Sequence, residues 1–162
     1  LRIGFLLVKP GNQEMTVKEH PYPEEVGRVM YEKDLNAHHS GIRLLEVRQG
    51  FAIVSMSIEC RMLNGHGICH GGILFNLADT AFSYACNSRN LISVAQHCSI
   101  SFLMPVNLGD HLTATAQENQ LNSKNGIYDI EVKNQEGVTV ALFRGHSRTI
   151  RGQVIETGED HE

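Results

Sequence analysis

No segment of the sequence stays apolar for long. The longest such run, Ile3 to Val8, includes a glycine and falls far short of the roughly 20 residues a membrane span requires. It is also short for the apolar part of a signal peptide, and no small-residue cleavage site follows it. Basic residues are scarce. Fourteen Lys and Arg stand against 18 Asp and Glu, a net charge of −4, so the chain lacks the positive field of a general nucleic-acid binder. Tryptophan is absent and aromatics make up only 6%. There is no internal repeat and no low-complexity tract. There is also no G-x-S-x-G nucleophile turn and no phosphate-binding P-loop. The four cysteines, Cys60, Cys69, Cys86 and Cys98, contain no C-x-x-C pair. In a chain of this length they read as reduced thiols, which makes the cytoplasm the expected location.

What is present suffices for one domain: 41% of the residues are hydrophobic, charge is modest, and 15 glycines are spread along the chain. The chain opens on Leu1, and part of the first 14 residues is read as upstream sequence. Residues 1–23, with Pro10, Pro21 and Pro23, are expected to form a flexible leader. Glu24 to Asp34 reads as a short helix, with Pro23 at its entrance and Glu24 and Glu25 at its positive end. Alternation on either side of Gln49-Gly50 predicts two strands joined by a turn. Ile73 to Asn87 predicts a helix that is apolar nearly all round and therefore enclosed by protein. Further strands are predicted over Val94–Leu103, Leu112–Gln120, around Tyr128–Lys133, and over Val138–Ile150 after a turn at Gln135-Glu136-Gly137. Residues 153–162 form an acidic tail. One central helix and five or six antiparallel strands suit an α+β fold in which a curved sheet wraps the helix.

Chemistry concentrates in Asn64-Gly65-His66-Gly67-Ile68-Cys69-His70-Gly71-Gly72 and in Asp79 on the helix that follows. A glycine pair entering a helix leaves amide N–H groups pointing outward from the positive end of the helix dipole, where they can receive an anion or a developing oxyanion. The same pair also suits a tight turn with close backbone approach. Asp79, flanked by Leu77, Ala78, Ala81 and Phe82, is either an internal hydrogen-bonding post or a carboxylate facing a cavity. Gly71 and Asp79 are eight residues apart, roughly 12 Å along a helix. If both act on one acyl carbon, the site must combine Gly71 of one subunit with Asp79 of another, which predicts a two-fold dimer. His66 and His70 at i, i+4, with Cys69 between them, raise a metal site. Gly67 and Gly71 argue against helix at His66, however, and no second cluster supplies the remaining ligands. Cys69 is also a conceivable nucleophile, although adjacent Cys69 and His70 need not face one another. His38, His39, His97, His111 and His146 read as surface or structural residues.

Asn64, His70-Gly71-Gly72 and Ile73-Leu74-Phe75-Asn76-Leu77-Ala78-Asp79-Thr80-Ala81 together resemble the signature of hotdog-fold acyl-CoA thioesterases of the PaaI type. The resemblance continues through Phe102-Leu103-Met104-Pro105, Gly109-Asp110, Leu112–Ala116, Gly126–Glu131 and Ala141–Gly145. It covers about residues 24–152, which sets the domain boundary. It implies an antiparallel sheet wrapped around a long central helix, and hydrolysis of an acyl-CoA, expected to be phenylacetyl-CoA or a ring-hydroxylated derivative. By the resemblance, Asp79 is general base or nucleophile and the Gly71 N–H polarises the thioester carbonyl. Asn64 assists at the acyl or water site, and His70 shapes the loop. Gly72 is assigned to substrate binding. Arg144, Arg148 or Lys124 could meet the CoA phosphates by charge alone. The active sites are implied to lie at a dimer interface, with dimers pairing into a tetramer; no metal or other cofactor, nucleic acid or membrane is implied. Where some relatives carry Ser or Thr on the strand after the helix, this chain has Ala95, with Ser93 and Ser99 as the nearby hydroxyls. Two other functions fit the same residues: a hotdog enoyl-thioester hydratase or dehydratase, and a non-catalytic acyl-CoA-binding module.

Overall fold

A computed structural model describes residues 22–156. Of the leader expected over residues 1–23, residues 1–21 lie outside the described residues, as do residues 157–162 of the acidic tail, whereas Pro23 is the first residue of α1. The elements in order are α1 (Pro23–Lys33), α2 (Leu35–Ser40), β1 (Arg43–Arg48), β2 (Phe51–Ser57), a 3-10 turn (Cys60–Met62), α3 (Gly71–Asn87), β3 (Leu91–Phe102), β4 (His111–Asn122), β5 (Asn125–Lys133) and β6 (Thr139–Gln153). The six strands form one antiparallel sheet in the order β1-β2-β4-β5-β6-β3, which wraps α3. Gly50 turns β1 into β2 with φ of +70°, a conformation that glycine adopts without strain.

The strand alternation seen in the sequence is the alternation of burial. Leu112, Ala114 and Ala116 of β4, and Tyr128, Ile130 and Val132 of β5, turn inward and are buried. α3 meets them with ten of its 17 residues buried, including Leu74, Leu77, Phe82 and Tyr84, as an all-round apolar helix requires. The alanines of β4 let the helix backbone come close; Phe82 then packs edge-on to Tyr128, with ring centroids 5.5 Å apart. At its far end Ser88 caps α3, donating to the Ala85 carbonyl and accepting from the Gly50 amide.

α2 is a helix that the sequence pattern did not separate. Six residues are too few to show a period, and tertiary partners hold it instead. Asp34 accepts from the Ala37 amide through Oδ1 and from the Tyr84 hydroxyl through Oδ2, so one carboxylate both caps α2 and pins it to α3. The chain also remains ordered past the boundary set at 152, because Asn90 bonds both the N–H and the carbonyl of Ile155. β3 ends the sheet. It is 12 residues long, twice β1 at the other edge, and no described strand pairs with its outer side.

Candidate active site

The loop before α3 is built by its own polar groups. The Asn64 N–H donates to the Ile68 carbonyl, its carbonyl accepts from the Gly67 N–H, and its Oδ1 accepts from the His66 N–H. Gly67 takes a φ of +76° to complete the turn. The Asn64 amide nitrogen has no partner among the described residues, so its two hydrogens are free to donate. His66 is exposed and outside any helix. No three His, Cys, Asp or Glu among the described residues gather as a metal site.

His70 is the N-cap of α3, and its Nδ1 accepts from the Gly72 N–H at 2.9 Å. That bond separates the two glycines. The Gly72 donor is occupied, whereas the Gly71 N–H, in the first helical position with no intrahelical acceptor, bonds nothing among the described residues. A free N–H at the positive end of a 17-residue helix is the arrangement an oxyanion needs. Gly71 is also a place of close approach. A Cβ there would lie 2.9 Å from Cζ of Phe102, whose ring covers the helix start. Asn64, Cys69, Gly71, Phe102 and Met104 line one cleft of about 430 Å³.

Asp79 does not line that cleft. It lies two turns along α3, half-buried, and its Oδ1 accepts from the Cys98 thiol of β3 at 3.8 Å. Burial raises its pKa above the ordinary carboxylate range, and the Cys98 hydrogen bond opposes part of that rise. Oδ2 has no partner among the described residues. The strand hydroxyls face elsewhere: Ser93 bonds Thr149 and the Leu91 carbonyl, and Ser99 lies on the sheet face away from α3. Cys98 is therefore the β3 side chain that meets Asp79, and sequence reasoning did not single it out. It shares the inward face of β3 with Ile100, but nothing along the chain says that Asp79 lies opposite.

Cys69 is buried, donates to the His70 carbonyl, and is pushed up to about 11 by burial and by the charge of Asp110, so it is held as a thiol and not as a nucleophilic thiolate. Arg144 stands apart from the loop. It forms a two-pronged ion pair with Asp129 at 2.6 and 2.8 Å, and this guanidinium holds the Asp129 carboxyl below its usual range. Both line a concavity of about 580 Å³ on the outer face of the sheet, which contains none of Asn64, His70, Gly71 and Asp79. Arg148 donates to Asn125. His97 and His146 form a cross-strand ring pair, and His111 bonds Ser57.

Residues 66–141 match the family model described as the thioesterase superfamily. The chain is 54% identical over 130 residues to the acyl-coenzyme A thioesterase PaaI of Escherichia coli (strain K12), covering 80% of this chain and 91% of that one. A putative esterase of Archaeoglobus fulgidus is 37% identical over 130 residues, covering 80% of this chain and 84% of its own. Among solved structures, the E. coli PaaI protein from the phenylacetic acid degradation operon superposes with a TM-score of 0.80 at 51% identity, over 81% of this chain and 95% of that one. A hypothetical thioesterase from Streptococcus pneumoniae, solved with coenzyme A, gives 0.71 at 26% identity, over 76% and 98%. A free helix-terminal N–H, a half-buried carboxylate two turns along the same helix, a sheet wrapped around that helix and these likenesses have one common account: the chain belongs to the thioesterase superfamily, as a hotdog-fold thioester hydrolase.

Proposed function

We propose that the protein hydrolyses acyl-CoA thioesters, arylacetyl-CoA in particular, to the free acid and coenzyme A. The observation that carries this is the Gly71 N–H, unpartnered among the described residues, which lines one cleft with the Asn64 amide and lies on a helix that also carries Asp79. The Gly71 N–H takes the thioester oxygen as it becomes negative. Asp79 either removes a proton from the attacking water or attacks the carbonyl itself, giving an anhydride that water then opens. In both routes the C–S bond breaks and the coenzyme A thiolate takes up a proton. In the general-base route water supplies the acid's new oxygen, whereas in direct attack Asp79 supplies it and water, opening the anhydride at the aspartyl carbonyl, restores the Asp79 oxygen. No cofactor is needed beyond the coenzyme A of the substrate. The relatives from the phenylacetic acid degradation operon and with bound coenzyme A support the substrate class.

His70 favours hydrolysis over hydration or dehydration. Its Nδ1 is committed to the Gly72 amide, and among the described residues no carboxylate bonds it to form a proton-moving pair. Asp79 likewise argues against a pure binder, which has no use for a desolvated carboxylate. A thiol-release assay on a panel of acyl-CoAs is the test, with phenylacetyl-CoA expected among the best substrates. Absence of release across the panel would leave only the binding reading. Single turnover in heavy-oxygen water separates the two routes, since direct attack first places label in Asp79.

The active site is proposed to be shared in a homodimer, with dimers pairing further, as the roughly 12 Å between Gly71 and Asp79 requires. Asp79 is absent from the Gly71 cleft, and it faces β3, whose long outer edge pairs with no described strand and is suited to pairing with a second copy. Sedimentation alongside activity at matched dilution checks this. Specific activity should fall as dimers dissociate, and full activity in a monomer would refute the shared site. Four free cysteines suit a reducing compartment, and the cytoplasm is the proposed location. Arg144 is engaged by Asp129, so Lys124 and Arg148 are the better candidates for the CoA phosphates.

A further inference from the structure

We propose that Cys98 is a positioning residue for Asp79: its thiol holds Oδ1 so that Oδ2 stays free and aimed for the reaction. The role rests on the reading of Asp79 as the reacting carboxylate. Cys98 comes from β3, its Sγ lies 3.8 Å from Asp79 Oδ1, and no other described side chain bonds that carboxylate. The strand hydroxyls that could have done so are turned away or bonded elsewhere, and Ala95 has none.

The surroundings keep Cys98 a donor. Burial and the neighbouring Asp79 charge push its thiol up to about 11, so it retains its proton at neutral pH. The other titratable group at Asp79 is Cys86 of α3 itself, pushed up to about 12 by burial and by the same charge. Among the described residues no ionised group of β1, β2, β4, β5 or β6 acts on the carboxylate. A thiol is a weak hydrogen-bond donor. It can therefore fix the orientation of Oδ1 while removing little of the basicity that burial confers, which suits a base or nucleophile. A hydroxyl would hold the carboxylate more tightly and make it less basic.

The pH dependence of kcat for wild type, Cys98→Ala and Cys98→Ser, with Asp79→Asn as reference, tests the role. The acid limb reports ionisation of Asp79 in the complex. Loss of the donor in Cys98→Ala should move that limb up by about half a pH unit. Cys98→Ser, which restores a donor, should bring it back to the wild-type position or below. Cys98 is partly buried at the edge of the core and both replacements are small, so melting curves should confirm folded proteins. A limb that coincides in wild type and Cys98→Ala overturns the proposal, whatever happens to kcat. So does one displaced equally in Cys98→Ala and Cys98→Ser, which would report lost volume and not a lost donor. Full turnover by Asp79→Asn would sink the reading of Asp79 itself. Loss of turnover there with an unmoved Cys98→Ala limb sinks the Cys98 role alone.

Discussion

Asp79→Asn is expected to lower kcat for an acyl-CoA thioester about 10³-fold, within the range that general acid–base groups supply, while leaving KM within a few-fold. The amide keeps the shape of the side chain but can neither accept a proton from water nor attack a carbonyl. The same change should raise the melting temperature at neutral pH. Burial raises the Asp79 pKa in the folded state, so folded protein binds that proton more tightly than unfolded chain does. Stability from this group is therefore greatest below the unfolded-state value and declines as pH rises through the raised one. At neutral pH the fold is holding a carboxylate it would rather protonate, and Asn relieves that strain. Activity lost with stability gained separates a working carboxylate from a structural post, whose removal would cost stability. Undiminished hydrolysis by Asp79→Ala would refute the assignment.

Gly145→Ala is expected to destabilise the fold, against the trend for such changes. Where backbone angles allow, replacing Gly by Ala stabilises by about 0.4–1 kcal/mol through the unfolded chain. Gly145 does not have a positive φ, so chain entropy alone favours the change. Its inward side decides otherwise. A Cβ would lie 2.8 Å from Cδ2 and Cε2 of Phe82, a ring only 1% exposed and packed against Tyr128 and Phe143. Overpacking of this kind costs about 1–3 kcal/mol, which outweighs the entropic gain. A net loss of about 1–2 kcal/mol lowers the melting temperature by roughly 2–8 °C in a domain of this size. Gly145 pairs with Cys98 on β3, and Phe82 sits one helical turn beyond Asp79. Pushing α3 outward should therefore also loosen the contact between Asp79 and Cys98, so kcat should fall together with stability. A variant that melts at or above wild type would show that α3 can shift without cost.

Much of this architecture is written in consecutive residues. The alternation in Tyr128–Lys133 and Leu112–Ala116, the all-round apolar stretch after Ile73 and the turn at Gln49-Gly50 each appear in the structure as predicted. They are legible because side-chain period is a property of the backbone itself, 2 in strands and 3.6 in helices. The glycine pair before Ile73 likewise marks a helix entrance in the sequence, and α3 begins at Gly71 itself with His70 as its cap. α2 was not legible, because its stability comes from Asp34 and Tyr84, residues 50 apart. Nor was the engagement of Arg144, whose partner Asp129 is 15 residues distant on the neighbouring strand. Charge alone suggests a phosphate contact for Arg144; the cross-strand register adds a carboxylate partner.

The sequence by itself determined the elements, the donor-rich start of α3 and the thioesterase signature, since all three are local patterns or near neighbours along the chain. Only the tertiary structure decided the strand order β1-β2-β4-β5-β6-β3, the occupation of the Gly72 amide that leaves Gly71 free, and the meeting of Asp79 with Cys98. Those outcomes depend on how closely α3 can approach the sheet and at which register β3 joins β6. Such distances are set by the packing of Phe82 over Gly145 and its neighbours, contacts between residues far apart in the chain.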